Sequence, residues 1–186
     1  MHTVLWHRLD AEGHDACRFS ETTDGWTIEG AAVFRHDGQA ASLAYRLVCD
    51  RQWESRHASV AGWIGNRDLQ ILIERDGGDG WLVNGSWRHT LNGLKDIDLG
   101  FTPASNTNAI RRLNLSEGKK AESVAVWLDT EDWSVKPLRQ SYRRSGKDAF
   151  DYASPEHDYR ATLGVDDFGA VTVYPGLWVM CRHGKS

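Results

Sequence analysis

Short apolar runs alternating with polar residues recur along this chain, and that pattern restricts it to strands. The runs are Trp26–Phe34, Ala44–Val48, Leu69–Ile73, Val124–Leu128, Ala161–Val165, Val171–Tyr174 and Leu177–Met180. Alternation sends successive side chains to opposite faces of a strand, whereas a helix needs a period near 3.6. No long segment carries that second period. Turn-forming residues separate the runs: His36-Asp37-Gly38-Gln39, Asp76-Gly77-Gly78-Asp79-Gly80, Asn84-Gly85, Glu117-Gly118-Lys119-Lys120 and Asp166-Asp167-Phe168-Gly169. The more polar segment from Arg143 to Glu156 reads as a longer loop. The expectation is an all-β chain of about a dozen short strands with little helix, folded as a single domain over residues 1–186. A mostly meandering antiparallel sheet of that size does not stay flat and open. It curls into a β-roll or a barrel-like form.

One stretch carries more chemistry than the rest. From Asp96 to Leu115 the residues suggest a strand, a polar loop and a second strand. Asp96 and Asp98 share one face of the first strand, with Ile97 and Leu99 on the other. In the second, Arg111 alternates with Leu113 and Leu115, while Arg112 goes with Ile110 and Asn114. A guanidinium therefore enters with aliphatic neighbours, and a buried charge requires an opposite one. The two aspartates are the nearest candidates. The simpler reading is a structural ion pair; the functional one is a polar spot in an apolar pocket that orients a ligand. Asp96 and Asp98 as a catalytic acid/base pair fit less well, because two arginines nearby would keep both acids ionised. Thr102, Ser105, Asn106, Thr107 and Asn108 are a dense group of neutral hydrogen-bonding side chains, suited to turns or to sugar hydroxyls. Asp50, Trp53 and Arg56 form a second set: a turn with a salt bridge, or a pocket mouth where Trp53 stacks on a head group and Arg56 hydrogen-bonds to it.

Composition narrows the partners. Acids outnumber bases, 26 to 22, for a net charge of −4, and no long basic run offers a nucleic-acid backbone a footing. Three widely spaced cysteines form neither a disulfide framework nor a zinc site, which suits a reducing compartment. The N-terminus lacks a basic segment followed by an apolar run, and no apolar stretch reaches spanning length; the cytoplasm is the expected location. The eight histidines form no metal-ligand motif, so no metal and no cofactor is assigned. There is no nucleophile elbow and no phosphate-binding glycine loop, and Asp76–Gly80 lacks the glutamate of a calcium loop. Cys49 reads as a small buried residue, with no histidine at a spacing to activate it. Nine tryptophans spread evenly along the chain serve to fill a core, with flat faces available to acyl chains or sugar rings.

Three blocks resemble a known family. They are Tyr45-Arg46-Leu47-Val48-Cys49-Asp50 with Trp53 and Arg56; Gly93 to Pro103 continuing through Asn106-Thr107 to Ile110-Arg111-Arg112-Leu113; and Tyr159 to Asp166 followed by Val173-Tyr174-Pro175-Gly176-Leu177-Trp178. In this order they resemble the "putative glycolipid-binding" family of bacterial proteins, formerly a domain of unknown function, over nearly the whole chain. Leu94 stands where that family commonly has a cysteine, and Asn108-Ala109 where it commonly has Leu-Pro. The resemblance implies a rolled, many-stranded sheet that binds a glycolipid or related amphiphile. Its tail is expected in the apolar interior of the roll, and its head group against Asp96, Asp98, Asn106, Arg111 and Arg112, with Trp53 and Arg56 at a mouth. Two other functions stay open: a hydrolase acting on a sugar or lipid ester through Asp96 or Asp98, and an interaction module with a filled core. Oligomeric state is left open.

Overall fold

A computed structural model describes residues 1–181. The alternating runs form β1 (His2–Arg8), β2 (Gly13–Thr22), β3 (Gly25–His36), β4 (Gln39–Asp50), β5 (Ser55–Ile64), β6 (Arg67–Arg75), β7 (Trp81–Val83) and β8 (Ser86–Trp87). They continue as β9 (Asp96–Leu99), β10 (Lys120–Leu128), β11 (Val135–Gly146), β12 (Ala149–Ser154), β13 (Tyr159–Val165), β14 (Val171–Tyr174) and β15 (Trp178–Met180). Among the described residues the one α-helix, α1 (Ala104–Leu113), stands between β9 and β10, and short 3-10 turns occur at His89–Leu91 and Pro155–His157. The strands make a single curled, unclosed sheet in the order β8-β7-β6-β5-β4-β3-β2-β1-β15-β14-β13-β12-β11-β10-β9. It consists of two meanders joined through β1 and β15, with Trp6 opposite Met180 and Arg8 opposite Trp178. All pairings are antiparallel except β9 with β10, where Asp98 lies beside Trp127.

An edge strand leaves backbone groups unpaired, and the curl disposes of some of them on β9. Its Ile97 N–H donates to Ser55 Oγ at 3.0 Å, and Ser55 N–H donates to the Lys95 carbonyl at 2.9 Å. The edge of the second meander thus docks on β5 of the first. The larger core contains Trp6, Phe19, Ile28, Leu43, Leu47, Ile73 and Trp81, with Ile97, Leu99 and Phe101 from the other meander. A smaller cluster gathers Ala109 and Ile110 of α1 against Tyr142, Phe150, Tyr152, Leu163 and Val165. Each such large apolar side chain contributes about 1.5–3 kcal/mol on burial.

Two expectations are corrected. The residues after Pro103 do not form a loop and a strand: they form α1, which crosses the interior of the roll. Thr102 Oγ1 accepts the Ala104 N–H at 3.0 Å to start it, and Asn114, left-handed at φ 43° and ψ 47°, ends it with an N–H bond to the Ile110 carbonyl at 3.2 Å. Its first seven residues are all buried, including the four consecutive polar residues Ser105, Asn106, Thr107 and Asn108, which in the sequence resemble a loop. Nor is Arg143–Glu156 mainly a loop. Here β11 and β12 form a hairpin, with Arg143 opposite Asp151 on its outer face. The interior in which an amphiphile's tail is expected is occupied by α1 and the rings around it. Among the described residues no helix is long and apolar enough to cross a membrane.

Candidate functional site

The two aspartates of β9 share a face, as their spacing requires, but meet different partners. Arg112, from the last turn of α1, gives Nε to one oxygen of Asp96 and Nη2 to the other, both at 2.6 Å. Ser123 Oγ on β10 adds a bond at 2.5 Å. Asp96 is buried and Arg112 half-buried, so this is the acid that neutralises a guanidinium inside the roll. Asp98 has no arginine. Its carboxylate accepts from Ser105 Oγ at 3.2 Å and from Gln140 Nε2. Burial pushes its pKa up to about 6, Gln140 and Ser105 pull against that shift, and the charge of Asp96 adds to it. The expectation that two arginines hold both acids ionised is therefore corrected: one arginine serves Asp96, and Asp98 stands uncompensated.

Arg111 points elsewhere. Its guanidinium lies 4.5 Å from the Phe168 ring centre, 4.6 Å from Trp53 and 5.6 Å from Trp26, and Nη1 donates to the Phe168 carbonyl. Trp53 is buried and stacked on Trp26 at 4.6 Å, so its faces are taken by protein. Arg56 lies outside this cluster and pairs with Asp50, whose carboxylate also accepts the N–H groups of Gln52 and Glu54 at 2.9 and 3.0 Å. That is the turn with a salt bridge. Of the seven expected residues, then, Asp96 and Arg112 pair with each other, Arg111 joins Trp53, and Arg56 stays at the surface.

Asp98 and Asn106 come together at a pocket of about 250 Å³. This is somewhat below the usual range of ligand-site volumes, about 300–1,000 Å³. The turn into α1 supplies Gly100, Thr102 and Pro103; Trp127 comes from β10, Tyr152 and Ser154 from β12, and Tyr159 from β13. His157 stands in the turn between those last two strands, and Tyr174, Leu177 and Trp178 close the wall from the β14–β15 hairpin. The three tyrosine rings cluster 5.7–6.2 Å between centres, Tyr152 edge to face with Tyr174 and Tyr159 tilted against both, and Trp127 meets His157 edge to face at 4.8 Å. Of these wall residues only Thr102 stood out in the sequence, in the group suited to turns or sugar hydroxyls; the aromatic ones did not. Tyr159, Tyr174 and Trp178 do belong to the closing block quoted above, which is where a signal existed.

A hydrogen-bond chain runs beneath the wall. Gln140 Nε2 bridges Asp98 and the Tyr152 hydroxyl at 3.1 Å, the Tyr142 hydroxyl donates to Gln140 Oε1 at 3.4 Å, and Asn106 Nδ2 donates to Tyr142 at 3.1 Å. Ser154 Oγ is buried and without a hydrogen-bond partner. Thr102 reaches away from the pocket to a second buried acid, Asp15, which also accepts the Tyr45 hydroxyl at 2.9 Å. Burial pushes Asp15 up to about 6 as well, against the hydrogen bonds from Thr102 and Tyr45. Among the described lining residues Asp98 is the one carboxylate, and there is no lysine or arginine. Lys136 lies 5.4 Å from the Trp127 ring, but its ammonium is bound to Asp129 at 2.5 Å. A glycosidase needs two carboxylates across the scissile bond, and Asp96 is committed to Arg112. The arrangement is equipped to stack on a ring and hydrogen-bond its hydroxyls. Burial holds the Cys49 thiol up at about 12, which keeps it protonated and poorly nucleophilic.

Comparisons with known proteins agree with this architecture. A crystal structure, at 1.80 Å, of a DUF1089 family protein from Pseudomonas aeruginosa is similar to this chain with a TM-score of 0.78 and 28% sequence identity. The likeness covers 89% of this chain and 91% of that one. No curated protein matches the sequence. The family described as "Putative glycolipid-binding" matches residues 3–180, and the chain belongs to that family.

Proposed function

We propose that this protein binds the sugar head group of an amphiphile in the pocket at the start of α1, without chemical change to it. The observation that carries the reading is the convergence of Tyr152, Tyr159, Tyr174, Trp127 and Trp178 around Asp98, a half-buried acid with no counter-charge. Aromatic rings offer stacking surfaces to the C–H faces of a sugar, while the carboxylate accepts hydroxyl hydrogens. The family's description supports a glycolipid as the ligand. Since α1 occupies the interior, the tail would lie on the outside of the fold. Asp98 and Asn106 keep the ligand-binding role that their sequence context suggests; Asp96 and Arg112 support the strand and helix that carry them. The test is direct. Protein purified from several hosts is extracted with organic solvent and the extract examined by mass spectrometry, and stripped protein is titrated with octyl glycosides. A co-purifying glycolipid or saturable uptake is expected, and clean extracts with no uptake reject the proposal.

A further inference from the structure

Two observations limit what kind of head group the pocket accepts. The first is electrostatic. Around Asp98 the titratable groups are Asp96 on β9, Tyr142 on β11, Tyr152 on β12, Tyr159 on β13, Tyr174 on β14 and His157 in the turn after β12, while α1 contributes to the pocket only neutral Ser105 and Asn106. None of them is a lysine or arginine, so an anion entering here would face a carboxylate with no cation to offset it. The second is an unmet hydrogen bond. Ser154 is only 3% exposed, lines the pocket, and its hydroxyl has no partner. A buried polar atom left alone is costly, and a ligand hydroxyl would satisfy it.

We infer that the pocket takes an uncharged pyranose ring, its hydroxyls shared between Asp98 and Ser154, and excludes acidic head groups such as phosphates, sulfates and uronates. This inference rests on the sugar-binding reading and narrows it to one class of ligand. Each Asp98 oxygen already accepts one protein hydrogen bond, from Ser105 or Gln140, and keeps capacity for a further donor. A ligand carboxylate has no hydrogen to give there and brings like charges together, an arrangement that costs several-fold to many-fold in affinity. The discrimination belongs to the ionised acid, so it weakens once Asp98 is protonated.

The experiment titrates octyl glucoside, galactoside and mannoside, below their micelle concentrations, against the octyl uronide of whichever sugar binds best. At pH 8 the neutral glycoside is expected to bind about tenfold or more tightly than its uronide. The gap should narrow at pH 5, where the uronide is still charged and Asp98 is not, and in Asp98→Asn it should be narrow at both pH values. Ser154→Ala should weaken the neutral glycoside several-fold with a melting temperature equal to or above that of wild type, because the substitution removes an unpartnered hydroxyl. A uronide that binds as well as its neutral counterpart at pH 8, or an Asp98→Asn protein that keeps the full gap, overturns the inference while leaving sugar binding intact. If no glycoside binds at all, charged or neutral, the sugar-binding reading itself fails and this inference with it.

Discussion

Arg112 meets Asp96 side on, two parallel bonds of 2.6 Å closing the last turn of α1 onto the edge strand β9. The pair links the helix to the sheet edge, and Ser123 ties it to the neighbouring strand. Bidentate geometry of this kind is the strongest form of a carboxylate–guanidinium contact. Removing one partner leaves the other charge buried and unpaired. Asp96→Ala is therefore expected to cost about 3–5 kcal/mol, whereas Asp98→Ala, which strands no cation, costs about 1 kcal/mol. Urea denaturation of the two variants separates them; equal losses would contradict the assignment of Asp96 as the ion-pair acid.

The second buried acid makes an unusual pH dependence. Asp15 titrates near 6 in the folded chain, against about 3.9 when unfolded. Between those values the folded state holds more protons, so stability falls as pH rises from about 4 through 6 and is flat above. Asp98, with the same upward shift, acts in the same direction. Asp15→Asn keeps polar atoms toward Tyr45 and Thr102 while removing the charge. It is expected to stabilise the protein at pH 7.5 by on the order of 1–3 kcal/mol and to flatten the decline between pH 5 and 7.5 in thermal melts. A variant that melts lower than wild type at pH 7.5, with the slope intact, would refute this.

Arg111 is held by rings more than by acids. Three aromatic groups surround its guanidinium, and the Phe168 carbonyl takes one of its hydrogens. Arg111→Ala is expected to lose about 1–3 kcal/mol. Arg111→Lys recovers only part of it, because an ammonium lacks the planar stacking surface. Denaturation curves check the ranking, and tryptophan emission should shift in both variants as Trp26 and Trp53 lose their neighbour. A lysine variant as stable as wild type would show that charge alone holds this cluster.

Strand positions were legible because period-two alternation is a local signal, and the turn residues between runs are local too. Even the hairpin at Asn84-Gly85 follows from two residues. The helix was not legible. Ala104 to Ile110 is rich in serine, asparagine and threonine, weak helix formers, and four polar residues in a row, Ser105, Asn106, Thr107 and Asn108, are buried where the sequence reads as a loop. Mistaking it for a strand still left one inference intact for Arg112, that a guanidinium among apolar residues finds a carboxylate, whereas Arg111 settles among rings instead. Which carboxylate depended on the helix, since the C-terminal turn of α1 lies over Asp96 and its first turn over Asp98. The pocket wall was hidden for another reason. Trp127, Tyr152, Tyr159 and Tyr174 come from four strands; pairing of β10 with β9 sets Trp127 beside Asp98, and the curl of the sheet brings the tyrosines there.

The most direct check of sugar binding at this pocket is an indole N–H spectrum of the ¹⁵N-labelled protein during titration with octyl glycosides. Saturable shifts are expected at Trp127 and Trp178, with Trp63 and Trp87, which do not line the pocket, unmoved. Indole signals that stay fixed at Trp127 and Trp178, or move only at Trp26 and Trp53 around Arg111, would contradict it.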